Sequence, residues 1–396
     1  MNRRTRSLLS FLAFLGFVSL GLPDGLLGVA WPAIRSTFDL RLDALGALLV
    51  TFTAGYLASS FSSGRLLARI NVGTLLALSC AATGVSLLGY ALAPAWWMMV
   101  ALALLAGLGA GAIDAGLNTF AATNFSPRLV NFLHGFYGIG ATVGPWLMTG
   151  ILQTMGRWQW GYAAVAASQL ALAACFAATY RSWPAGPGPA EATPAHPTST
   201  AAATLRLPAV WRNMLLFFIY TGIEAALGIW PYSLYAEARG VSMVTAGMWV
   251  SGYWASLTAG RFLLGAFAGA IAPQRLLQLC VGGVLLGAGI IWLNPGSHSG
   301  LIGLAIAGLA AGPVFPTLIA TTPARLGEAH AANGVGFAIA AAVLGQSLIP
   351  AVAGSVARNL GLESIGPFLF IATLSLLSVM DRAAAPWHRR AKAHSG

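Results

Sequence analysis

Asp24, Asp114 and Glu224 are three acidic residues, of ten in the chain, that fall well inside long apolar runs. An ionised side chain at the centre of a membrane helix costs about 2.5–3.5 kcal/mol on insertion scales, so a carboxyl kept there points to chemistry. As its access to water changes, it can pass between protonated and ionised forms, which is the physical basis of a proton relay. Each acid lies on a stripe of small, polar and aromatic residues at helical spacing. Gly107, Gly111, Asp114 and Asn118 stand at i, i+4, i+7 and i+11; Gly21, Asp24, Gly28 and Trp31 form a second stripe, and Tyr220, Glu224 and Gly228 a third. Facing lipid would waste these groups, so the stripes are expected to face a central cavity. Asn118 would bind hydroxyls there, with Trp31 and Trp230 as stacking aromatics and Tyr220 beside Glu224. Trp31 and Trp230 fit an interfacial aromatic belt equally well, since each lies just before a proline near an outer helix end. As a histidine, His134 could titrate near neutrality and share a proton with Asp114 on the adjacent helix. Gln346 could bind solute or bridge helices.

These residues need elements that carry them through a bilayer. Hydrophobic residues make up 57% of the 396 and charged residues 8%, against the roughly 25% charged share of soluble domains. Apolar windows of about 20 residues, broken by charge, Pro or Gly clusters, predict twelve spans. They lie near 8–33, 43–63, 73–93, 96–122, 129–153 and 158–181, then near 209–236, 243–267, 274–293, 299–322, 332–357 and 363–381. Arg3, Arg4 and Arg6 before the first run resemble a signal peptide, but the apolar character resumes past Asp24 and no cleavage site closes it. The Pro/Ala/Thr-rich stretch between the sixth and seventh spans reads as a linker. The expected organisation is therefore an N-terminal six-helix bundle over 1–182, a cytoplasmic linker over 183–208 and a C-terminal six-helix bundle over 209–396.

With both termini in the cytoplasm, sixteen Lys and Arg residues fall inside and five outside, namely Arg35, Arg41, Arg157, Arg239 and Arg358. That distribution obeys the positive-inside rule and supports an even number of spans. The net charge of +11 is scattered through short loops, so a nucleic-acid partner is excluded. Cys80, Cys175 and Cys280 lie apart in apolar runs without metal-ligand spacing, so no metal or cofactor is expected.

The halves repeat. Asp24, Gly28, Trp31 and Pro32 answer to Glu224, Gly228, Trp230 and Pro231, with a one-residue slip before the tryptophan. At a spacing of 201, Gly107 and Gly111 meet Gly308 and Gly312, and Gly135, Phe136 and Gly144 meet Gly336, Phe337 and Gly345. Gly64-Arg65 after span 2 likewise meets Gly260-Arg261 after span 8. Two related bundles about an axis along the membrane normal can open a shared cavity alternately to either side.

Twelve spans in two repeats, the linker and the loop Gly64-Arg-Leu-Leu-Ala-Arg69 resemble the major facilitator superfamily. Its loop pattern is Gly-x-Leu-x-Asp-Arg-x-Gly; this chain matches at Gly64, Leu66 and Arg69 and has Ala68 and Asn71 at the Asp and second Gly positions. The resemblance marks Gly64, Arg65 and Arg69, with Gly260 and Arg261 in the second half, as a gating loop. The segments Gly107-Leu-Gly-Ala-Gly-Ala-Ile-Asp114-Ala-Gly-Leu-Asn118 and Asn131-Phe-Leu-His-Gly-Phe-Tyr-Gly-Ile-Gly140 are similar to the fucose permease branch of proton-coupled sugar transporters. That branch implies a coupling acid in span 1 and another in span 4, here Asp24 and Asp114, and its sugar-contacting positions in span 5 fall on His134 and Tyr137.

The expectation is an all-α polytopic membrane protein of the inner membrane, monomeric, moving a small solute by alternating access. Proton-coupled symport of a sugar or similar hydroxylated solute leads. Proton-driven export of drug-like or amphipathic metabolites is the alternative. No HExxH, nucleophile elbow or Walker loop is present, so an enzyme is not expected.

Overall fold

A computed structural model describes residues 3–125, 127–183, 199–266 and 271–393; of the linker expected over 183–208, residues 184–198 lie outside the described residues. Six long helices come first: α1 (Arg3–Thr37), α2 (Leu45–Leu67), α3 (Val72–Leu92), α4 (Trp96–Asn124), α5 (Pro127–Met155) and α6 (Gln159–Thr179). A short α7 (Ala201–Leu205) precedes α8 (Pro208–Ser233), α9 (Met243–Ala266), α10 (Pro273–Leu293), α11 (Ser299–Ala311), α12 (Val314–Leu326), α13 (Glu328–Leu360) and α14 (Ile365–Ala393). Long apolar segments become helices because lipid offers the backbone no partner and the helix satisfies its own donors and acceptors. Ten helical segments among the described residues are long and apolar enough to cross a membrane, and α5 and α9 occupy the windows expected of the fifth and eighth spans.

The expected tenth span is present as one 28-residue segment, Ser299–Leu326, with an interruption inside it. The window 299–322 divides into α11 and α12 at Gly312-Pro313, because proline has no N–H to continue the ladder and its ring crowds the preceding turn. Chain direction changes where a side chain would be strained: Gly156 after α5 has φ +67° and Gly327 between α12 and α13 has φ +85°. At the end of the Gly64–Arg69 loop, Asn71 caps α3, its Oδ1 accepting from the Thr74 amide at 2.7 Å. That accounts for asparagine where the family loop carries glycine.

Contacts group the chain into two compact units, Met1–Thr193 with Pro231–Ala255, and Pro194–Trp230 with Ser256–Gly396. In the first, α1 pairs with α5, α2 with α4, and α3 with α4 and α6. Its apolar core gathers Phe17, Leu75, Leu76, Leu117, Phe120, Phe176 and Trp183. In the second, α10 packs on α11 and α14, and α12 on α13.

Close helix approach without a hydrophobic drive needs small residues at the contact. A Cβ added at Gly107 would stand 2.0 Å from the Phe52 carbonyl oxygen, and one at Gly111 2.5 Å from that of Tyr56. The second unit repeats this contact 201 residues on, with Gly312 2.5 Å from the Leu257 carbonyl oxygen by the same measure. The end of the linker is docked: Asn333 of α13 donates to the Ser199 carbonyl (2.7 Å), and Thr204, fully buried in α7, bonds the His330 ring at 2.9 Å.

Candidate functional site

Asp114 lies midway along α4, half-buried. Asn118, one turn on, donates Nδ2–H to Oδ1 at 2.9 Å, and Tyr56 of α2 donates its hydroxyl to Oδ2 at 2.8 Å. The first bond follows from i, i+4 spacing. The second depends on tertiary structure: only because Gly107 and Gly111 admit the α2 backbone does Tyr56 reach the carboxylate. The structure does not bring His134 to Asp114. It is exposed on α5 and sits edge-on to Phe17 of α1, ring centroids 5.1 Å apart.

Asp24 is exposed on α1, and Tyr137 of α5 donates its hydroxyl to Oδ2 at 2.6 Å. Close packing again sets the register, since a Cβ at Gly21 would stand 2.1 Å from the Tyr137 carbonyl oxygen. Pro23, immediately before Asp24, cannot donate to the Ser19 carbonyl one turn back. The buried Gln169 of α6 supplies that donor at 2.9 Å, so the backbone beside the acid is satisfied from a second helix. Neither Asp24 nor Asp114 lies within ion-pair distance of a described basic side chain.

Glu224 differs. Arg261 donates Nη2–H to its Oε1 at 3.1 Å, and both side chains are largely buried. The Tyr220 hydroxyl lies between Glu224 Oε2 and the Ala311 carbonyl oxygen, the latter at 2.7 Å. The Ala311 carbonyl ends α11 at the Pro313 break, so Tyr220 ties the acid to the interruption. Gly260 and Arg261, expected in a gating loop, lie instead inside α9: Gly260 meets the Leu309 carbonyl and Arg261 turns inward to Glu224. Gly64 and Arg65 are exposed in the last turn of α2, with Arg69 exposed just beyond.

The two tryptophans are packed inside. Trp31 is 1% exposed, its ring 5.7 Å from that of Trp96, and its indole nitrogen has no partner among the described residues. Trp230 is fully buried and donates to the Pro350 carbonyl at 3.0 Å. Gln346 is exposed on α13. Sequence reasoning missed two partners, Tyr56 for Asp114 and Arg261 for Glu224. Nothing in the apolar run of α2 marks Tyr56. An arginine within reach of an intramembrane acid is the signal that marks Arg261. Among the described residues no three His, Cys, Asp or Glu side chains cluster to hold a metal.

The sequence profile of the Major Facilitator Superfamily matches residues 10–350. The chain is 25% identical over 385 residues to Bypass of stop codon protein 6 of Saccharomyces cerevisiae, covering 88% of this chain and 77% of that one. It is 27% identical over 140 residues to a putative glucose/galactose transporter of Helicobacter pylori, covering 35% of this chain and 33% of that protein. Among solved structures it resembles the fucose:proton symporter FucP of E. coli, with a TM-score of 0.64 and 18% identity over 96% of this chain and 98% of that one.

Proposed function

The chain belongs to the Major Facilitator Superfamily and is a membrane transporter, and we propose that it couples inward proton movement to uptake of a sugar or similar hydroxylated solute. The observation that carries this reading is the pair of carboxylates Asp24 and Asp114, each held by hydroxyl or amide donors and neither beside a cation among the described residues. A carboxylate neutralised by a fixed guanidinium stays charged through a cycle, whereas one held by neutral donors can take a proton and give it up. Proton exchange therefore falls to Asp24 and Asp114, and the Glu224–Arg261 pair serves as a fixed ionic tie. Asn118 and Tyr137 touch these carboxylates and present polar groups to the solute. The Helicobacter relative named for glucose and galactose supports a sugar. The reading places the protein in the plasma membrane as a monomer with cytoplasmic termini, its halves 1–182 and 209–396 exposing the site alternately.

The test is uptake into proteoliposomes over a panel of hexoses, polyols and drug-like cations, with and without an inward proton gradient. Gradient-stimulated accumulation of a sugar, abolished in Asp114→Asn, is the expected result. Sugars that never move, with cations expelled instead, would replace the reading by export.

A further inference from the structure

Both oxygens of Asp114 accept a hydrogen bond, Oδ1 from Asn118 (2.9 Å) and Oδ2 from Tyr56 (2.8 Å). That set suits an ionised carboxylate, which only accepts. A protonated carboxyl gains one O–H to donate, and the two groups already in contact with it differ in their capacity to accept it. The Asn118 nitrogen has no acceptor to offer, and exchanging it for the amide oxygen means turning the whole side-chain amide. A phenol oxygen carries lone pairs, and its O–H rotates without moving the ring.

We propose that Tyr56 is the positioning residue that converts protonation of Asp114 into a change of hydrogen-bond polarity felt by the solute. With Asp114 ionised, the phenol hydrogen points at Oδ2. When a proton enters on Oδ2, that proton is donated to the Tyr56 oxygen, and the phenol turns its own hydrogen to an oxygen of the bound solute. No covalent bond in the solute changes, and the single added proton resides on Oδ2 until release. This rests on the proton-coupled reading above and adds the residue through which proton and solute communicate.

The charged and titratable neighbours of this pair come from the helices packed on α4. Helices α1, α2 and α3 pack on α4. From α1, Asp24 acts on Tyr56 electrostatically and carries its own donor, Tyr137 from α5. On α2 the other charged group, Arg65, is exposed at the helix end. On α3 the titratable groups are Tyr90 and Cys80, both buried, Cys80 in the apolar cluster with Ile113 and Leu117 on another face of α4.

The experiment measures binding of radiolabelled D-galactose and L-fucose to the purified full chain in detergent, from mildly acidic to mildly alkaline pH. The wild type is expected to bind one of them roughly fivefold more tightly at the acidic end, the share of one neutral hydrogen bond. Tyr56→Phe keeps the ring and its packing, so its affinity is expected to stay at the weaker level at every pH. Asp114→Asn offers a permanent donor to the Tyr56 oxygen and is expected to bind at the tighter level throughout. A Tyr56→Phe variant that keeps the wild-type pH response overturns the proposal, as does an Asp114→Asn variant fixed at the weaker level. Should Tyr56→Phe fail to fold by thermal melting, Asp114→Asn decides alone. A wild type that binds neither sugar, or binds with no pH response, defeats the proton-coupled sugar reading itself and this inference with it.

Discussion

Replacing Gly107 by alanine adds one methyl group where α4 meets α2, and the structure fixes what that methyl must do. Its carbon would lie 2.0 Å from the Phe52 carbonyl oxygen. Ordinary contact begins near 3.4 Å, so α2 has to retreat by about 1.4 Å, and the obstacle is backbone that no rotamer change can clear. Tyr56 lies one turn from Phe52 on the same helix, and its 2.8 Å bond to Asp114 would open past hydrogen-bonding distance. Overpacking of this kind costs about 1–3 kcal/mol, and the broken bond leaves Asp114 with Asn118 as its one donor among the described residues. The assay pairs thermal melting in detergent with gradient-driven sugar uptake in proteoliposomes. Gly107→Ala is expected to melt lower and to lose most accumulation, while Gly150→Ala, with nothing within 4 Å of its added carbon, melts at or above the wild type. If Gly107→Ala melts and accumulates like Gly150→Ala, the claim that glycine packing sets the Tyr56–Asp114 register is wrong.

Other perturbations probe the remaining parts. Arg261→Met takes the guanidinium away from the buried Glu224, a loss of about 3–5 kcal/mol, and adding Glu224→Gln should recover part of it by thermal melting. Gln169→Ala removes the donor to the Ser19 carbonyl and should cost about 1–3 kcal/mol as an unsatisfied buried acceptor. In a Pro23→Ala background the helix supplies its own N–H, so a double-mutant cycle should show a smaller loss; equal losses would refute the compensation. Asn71→Ala should lower stability by about 1 kcal/mol through the lost cap of α3, and Asn71→Gly by only a few tenths.

Much of the fold was legible because apolar windows and breakers are local properties of the chain. Helices occupy all twelve windows. The repeat was legible in the glycines at 111 and 312, which the structure places against equivalent carbonyls. The break at Pro313 escaped notice because the apolar run continues through it, although the Gly312-Pro313 pair was its signal. At the site, the Asp114–Asn118 bond was readable from i, i+4 spacing. Tyr56 was not, because its pairing depends on the register of α2 against α4, which no local pattern encodes. Trp31 shares a stripe with Asp24, yet helical spacing cannot say that Trp96 of another helix covers it. Arg261 was assigned to a loop by the repeat, while burial and the nearby Glu224 put it inside the bundle.

The most direct test of proton coupling follows the proton itself. Unbuffered proteoliposomes in a medium carrying a pH-sensitive dye receive galactose, then fucose, on the outside with no imposed gradient. Coupled uptake predicts that one sugar alkalinises the medium as protons enter with it, and that Asp114→Asn abolishes the signal while still exchanging labelled for unlabelled sugar. Sugar entry without any pH change in the wild type, or an undiminished signal in Asp114→Asn, would contradict the assignment of the coupling proton to Asp114.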